Sequence, residues 1–240
     1  MRLLLLSNST RYGGGYLDYC ADEITSFLGP AVRRVTFAPY AVTDRDGYVA
    51  TVRSRFEQMG LAVNSVHDAP EGPVEAIEEA EALFVGGGNT FRLVDALWRH
   101  GLVDPIRRRV HAGMPYIGSS AGSNVACPSI GTTNDMPIIE PPSFAALNLV
   151  PFNINPHYQD PLPISTHMGE TRDERIAEFH EEHERPVVGL REGAWLRIEG
   201  AALALGGTTG ARLFRRGHAP VDVSGPSALN FLISGTPWRG

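Results

Sequence analysis

Met114-Pro115-Tyr116-Ile117-Gly118-Ser119-Ser120-Ala121-Gly122-Ser123-Asn124 carries the pattern G-x-S-x-G between an apolar run and a stretch of small residues. The apolar run reads as a buried strand and the small residues as the start of a helix, the context of a nucleophile elbow. Small residues on both sides of Ser120 let the chain turn sharply and push its hydroxyl into the open. The helix that begins there aims N–H groups outward, and the Ala121 amide is the natural first donor to a developing oxyanion. A strand turning straight into a helix predicts an α/β fold with its site at the strand's carboxyl end.

The pattern repeats outward from this point. Strand candidates are Arg2–Ser7, Arg34–Phe37, Leu61–Val66, Ala82–Val85, Tyr116–Gly118, Leu149–Ile154 and Val187–Leu190. Helix candidates are Tyr16–Leu28, Asp46–Met59, Thr90–Trp98, Val103–Val110 and Arg172–Glu182. Such alternation predicts a mostly parallel sheet with helices on both faces. From Ala194 the strands close up, with Ala194–Ile198, Ala201–Leu205 and Ala211–Phe214 separated by glycine turns, and this predicts antiparallel strands near the C-terminus. The expectation is one domain over residues 1–240, a length that can bury one substantial core.

Polar or glycine-rich loops follow four strand candidates, at Gly86-Gly87-Gly88-Asn89-Thr90, Gly118–Gly122, Asn155-Pro156-His157-Tyr158 and Arg191-Glu192-Gly193. The first loop reads either as an anion nest or as the source of a second oxyanion donor, Gly88. A serine also needs a base. His157 directly follows an apolar strand and is favoured, with His167 its rival. His180 and His183 sit on a Glu-rich helix without zinc-ligand spacing and read as solvent-facing. The carboxylate that orients the imidazole has two candidates: Asp135, with a short loop to the elbow helix, and Glu192, at a rigid strand end followed by glycine.

All 21 basic residues are arginine. Without lysine there is no Walker-A phosphate loop, no pyridoxal Schiff base and no Ser–Lys dyad. The formal charge of −6 supplies no basic field for nucleic acid. The cluster Arg107-Arg108-Arg109 reads as a solvated helix face. Two cysteines make no disulfide framework and no zinc spacing, so neither metal nor cofactor is expected. The N-terminal apolar run is too short for a signal peptide, and no stretch reaches spanning length, so no membrane partner is expected and the compartment is the cytoplasm.

Gly118-Ser119-Ser120-Ala121-Gly122-Ser123-Asn124, Gly86-Gly87-Gly88-Asn89-Thr90, Asn155-Pro156-His157 and Gly169-Glu170-Thr171-Arg172 together resemble the dipeptidase E family, α-aspartyl dipeptidases of the serine type. The resemblance runs over most of the chain. It implies a fold related to class I glutamine amidotransferases, with Ser120 where those relatives carry cysteine. It further implies hydrolysis of dipeptides with an N-terminal aspartate through an acyl-enzyme. Carried over by motif, Ser120 is the nucleophile and His157 the base, while Asp135 and Glu192 both fall on positions proposed for the acid.

Thr171-Arg172-Asp173-Glu174 reads as a capping box, which sets Arg172 against the helix dipole. Arg172 is then either a reader of the substrate's β-carboxylate or a surface arginine paired with Asp173 or Glu174. Glu170 is a candidate for the substrate amine, and Asn89 a further substrate contact. The partner is a small peptide, and the chain is a monomer or a homodimer. Two alternatives stand beside this: a cyanophycinase-like or other acyl hydrolase with the same elbow, and a small-anion binding protein without chemistry.

Overall fold

Leu3, Leu4, Leu5 and Leu6 are fully buried and alternate between two hydrophobic clusters, Leu3 and Leu5 in one, Leu4 and Leu6 in the other. A strand covered on both faces needs no polar alternation, which is why an unbroken leucine run forms an interior strand. The computed structural model describes residues 1–161 and 169–234. It begins with β1 (Arg2–Leu6), a 3-10 turn (Asp18–Cys20), α1 (Ala21–Leu28), β2 (Arg34–Ala38), α2 (Arg45–Gln58), β3 (Ala62–Ser65), α3 (Pro73–Glu78) and β4 (Leu83–Val85). Next come α4 (Thr90–Arg99), α5 (Val103–His111), β5 (Tyr116–Ser119), α6 (Ala121–Val125) and β6 (Asn153–Tyr158). Then follow α7 (Arg172–Glu182), β7 (Val187–Arg191), β8 (Ala194–Glu199), β9 (Ala202–Gly207), β10 (Ala211–Phe214) and β11 (Val221–Val223).

The main sheet has seven strands in the order β3-β2-β4-β5-β1-β8-β9. Its first five are parallel, and β8 and β9 add an antiparallel edge. This is the α/β class expected from the sequence. A second sheet was not. Four strands in the order β11-β10-β7-β6 form it, with β6 and β7 parallel and the rest antiparallel. Val187–Leu190 and Ala211–Phe214 belong to this sheet and not to the main one.

Three element expectations need correction. The strand sought at Leu149–Ile154 lies at Asn153–Tyr158, because the Leu147 and Leu149 amides instead donate to Val125 and Ala126 at the end of α6. Pro156 is tolerated inside β6 because that strand is the edge of its sheet. The helix sought from Tyr16 begins at Ala21, since Asp18 accepts from the Gly15 amide and Leu17 adopts a positive φ of 56°. Finally, Arg107 and Arg109 are not a merely solvated face. Arg107 donates to the Ala146 and Leu147 carbonyls and Arg109 to Ala80, so both tie loops to α5.

Candidate active site

Ser120 sits between β5 and α6 with φ 53° and ψ −109°. A non-glycine residue held there stores strain on the order of 1–3 kcal/mol, so its surroundings must enforce it. They do so through glycine. A Cβ on Gly118 would lie 2.5 Å from the Gly122 carbonyl oxygen, and one on Gly122 would lie 2.1 Å from the Val85 oxygen. Strand and helix therefore touch backbone to backbone on both sides of the serine. The Ser120 amide donates to the Leu6 carbonyl of β1 at 3.0 Å, and the Ser123 hydroxyl donates to the same oxygen at 2.7 Å.

His157 lies inside β6, in a bulge. Pro156 pairs with Leu190 and Tyr158 with Arg191, leaving His157 out of the ladder with φ 53°. Its amide donates to the buried Ser7 hydroxyl at 2.9 Å. This turn brings its ring to Ser120, with Nε2 3.0 Å from Oγ, and Nδ1 stands 2.6 Å from Glu192 Oε1. Ser120, His157 and Glu192 thus form one hydrogen-bonded line. The His157 and Glu192 side chains are 40% and 47% exposed, so the line is open to an incoming ligand.

The model of peptidase family S51 matches residues 3–206. The chain belongs to peptidase family S51. It is 55% identical over 233 residues to Peptidase E of Streptomyces coelicolor, covering 97% of this chain and 95% of that one. It is 49% identical over 233 residues to a Drosophila melanogaster protein named "Probable alpha-aspartyl dipeptidase", covering 96% and 97%. A crystal structure of a peptidase from an acI-B1 actinobacterium shares the fold, with a TM-score of 0.71 at 16% identity over 93% and 94% of the two chains.

The remaining candidates of this S51 chain fall around that line, not all of them on it. Asp135 is not bonded to His157. Its Oδ2 accepts from the Thr90 amide at 2.7 Å, the Thr90 hydroxyl at 2.6 Å and the Thr133 hydroxyl at 3.2 Å. It thereby satisfies a free amide at the start of α4, where a carboxylate suits the helix dipole. Asn89 caps that helix through the Arg92 amide and donates to the Met136 carbonyl, so the frame engages both ends of its side chain.

The glycine loop approaches the serine closely: a Cβ on Gly87 would lie 3.1 Å from Ser120 Cβ. The Gly87 amide donates to the Tyr48 hydroxyl, which also bonds to Tyr16. Gly88 has φ 133°, and a Cβ there would stand 2.6 Å from the Ala41 oxygen, so only glycine fits. The capping box is present, Thr171 and Glu174 bonding each other reciprocally. Asp173 bonds Tyr158 and Arg212, so both acids beside Arg172 have other partners. Burial and the neighbouring Arg175 lower the pKa of Arg172, while the charge of Asp135 opposes that shift. Glu170 lies 3.4 Å from Arg175 in an exposed ion pair.

His167 lies outside the described residues. His180, expected to face solvent, is buried and bonds the Arg185 carbonyl, and burial lowers its pKa. Burial raises the Cys127 thiol to about 12, far from the thiolate that a cysteine nucleophile requires. Sequence reasoning passed over Ser7, Asn8 and Tyr48. For the first two a signal existed: Ser7-Asn8-Ser9-Thr10 is a polar run directly after the first strand, at the carboxyl rim where sites gather.

Proposed function

We propose that this chain is a serine dipeptidase that hydrolyses dipeptides with an N-terminal L-aspartate through an acyl-enzyme on Ser120. The observation that carries this reading is the line Ser120 Oγ–His157 Nε2, 3.0 Å, and His157 Nδ1–Glu192, 2.6 Å. A side-chain contact as exposed as His157–Glu192 contributes at most about 1 kcal/mol to stability, so two strained backbones around it are better explained by chemistry.

In this reading His157 takes the Ser120 proton as Oγ attacks the scissile carbonyl carbon. Glu192 keeps Nδ1 protonated and stabilises the imidazolium, without becoming protonated itself. The negative oxygen of the tetrahedral intermediate is met by the Ala121 amide and by the Gly88 amide, which lie on opposite sides of Ser120 in the chain's path. His157 then returns its proton to the leaving amine, and water releases aspartate by the same steps in reverse. Arg172 offers a bidentate partner for the aspartate side chain, supported by its partial burial and by neighbouring acids engaged elsewhere. Glu170 serves the substrate amine, and Asn89 with Asp135 holds the wall of the site. The cytoplasm as compartment is supported by two free, buried cysteines.

A fluorophosphonate should label Ser120 covalently, and turnover should favour Asp-Xaa over Glu-Xaa, Asn-Xaa and β-linked Asp-Xaa. Labelling with equal turnover of all four would instead favour a broader acyl hydrolase. An unlabelled, folded protein would favour an anion-binding role for the Gly86–Thr90 loop.

A further inference from the structure

The nucleophile stands on the main sheet, whereas His157 and Glu192 stand on the second. Their alignment therefore depends on how the two sheets are joined. Leu6, Ser7 and Asn8, at the carboxyl end of β1, touch the backbone beside every member of the line. Leu6 accepts from the Ser120 amide. The Ser7 hydroxyl accepts from the His157 amide at 2.9 Å and donates to the Leu190 carbonyl at 2.7 Å. The Asn8 carbonyl oxygen Oδ1 accepts at 2.9 Å from the amide of Gly193, the residue after Glu192.

These contacts are directional. At the bulge the His157 amide has left the β6–β7 ladder, and the Ser7 hydroxyl bridges the gap as an added rung. Ser7 is fully buried and Asn8 nearly so, which excludes water from substituting freely. Asn8 is itself fixed, since its Nδ2 donates to Thr10 and its backbone carbonyl accepts from Tyr19. We infer that Ser7 and Asn8 are positioning residues: Ser7 holds the bulge that turns the His157 ring to Ser120, and Asn8 holds the turn that presents Glu192. Neither side chain touches substrate. They act by keeping the imidazole and the carboxylate in register with a serine on a different sheet. This rests on the reading of Ser120, His157 and Glu192 as the catalytic line.

The test compares the full-length wild type with Ser7→Ala, Ser7→Thr and Asn8→Ala. It measures kcat and KM on an Asp-Xaa dipeptide, the rate of fluorophosphonate labelling at Ser120, and thermal unfolding. Displacing a catalytic group by a fraction of an ångström to an ångström costs on the order of 10- to 100-fold in rate. Ser7→Ala and Asn8→Ala should each lower kcat and the labelling rate by about that factor, with KM changing less than about twofold on the same basis. Ser7→Thr keeps the hydroxyl and should restore most of the labelling rate. A folded Ser7→Ala that only melts earlier, with wild-type kcat and labelling, overturns the inference. If Ser7→Ala fails to fold, Asn8→Ala decides, and a wild-type kcat there overturns it equally. A wild type that takes no label removes the catalytic line and this inference with it, whereas a labelled wild type beside unaffected variants removes this inference alone.

Discussion

Ser120 is shaped mainly by glycines of its own motif, which let α6 meet β5 and β4 backbone to backbone, whereas His157 is held by a hydroxyl 150 residues earlier in the chain. Both residues have the same φ of 53°, and the two solutions to that strain differ. At the elbow, glycines let backbones meet, so the serine has one way to turn. At the β6 bulge, a strand edge is pinned by a side chain from another sheet. Strain enforced within the main sheet survives any rearrangement that keeps β1, β4, β5 and α6 together. Strain enforced from a distance lasts only while the two sheets stay docked.

The largest effect should come from Ser120→Ala, which ought to reduce turnover of Asp-Xaa by about 10⁶-fold, as loss of a nucleophile does in a triad. Circular dichroism should remain that of the wild type. Near-normal turnover in the folded variant would sink the elbow assignment. Next, Glu192→Gln should lower kcat by as much as ~10⁴-fold, because the wrong imidazole tautomer becomes accessible. Asp135→Asn tests the contrast between the two acids. Asp135 bonds the start of α4, so its loss should mainly lower the melting temperature and raise KM, with a smaller effect on kcat. A kcat loss for Asp135→Asn equal to that of Glu192→Gln would reverse the assignment.

Gly122→Ala sharpens the comparison from the elbow side. Its new methyl meets the Val85 carbonyl at 2.1 Å, a rigid backbone atom, so unfolding free energy should drop by about 1–3 kcal/mol or more. Chemical denaturation measures it, and an unchanged midpoint would mean that the strand–helix contact is looser than described. The last test concerns the thiols. Burial raises Cys20 and Cys127 to about 12. A raised folded value means stability is fully present below the unfolded thiol pKa near 8.5 and is lost as pH climbs toward 12. The urea midpoint should therefore fall more steeply between pH 8 and 10.5 in the wild type than in a Cys20→Ala, Cys127→Ala double variant. Parallel curves would show that the thiols do not contribute.

The same contrast explains what could be read from sequence. The elbow was legible in eleven residues because its close contacts involve glycines that are themselves in the motif. β1 was legible because two covered faces demand an unbroken apolar run. By contrast, the second sheet was not separable from the first. Short apolar strands such as Val187–Leu190 look the same in either, and only pairing decides. The placement of β6 failed for a related reason: Leu149 is as apolar as a strand residue, but its amide serves the α6 end. Asp135 and Glu192 had equal claims as isolated carboxylates. What separates them is Thr90 beside one and an imidazole beside the other, contacts made across 45 and 35 residues.

The division of the site between two sheets also bears on how the chain comes into being. Synthesis proceeds from the N-terminus, and Ser120 leaves the ribosome well before Glu192 exists. With Ser120 and Glu192 in the roles proposed above, a nascent chain that has folded β1, β5 and α6 presents a serine without its orienting acid. β7 and the turn at Gly193 must emerge and dock before the hydroxyl acquires its base in the right tautomer. On that reading, peptide-cleaving capacity is withheld until more than four-fifths of these 240 residues have been made.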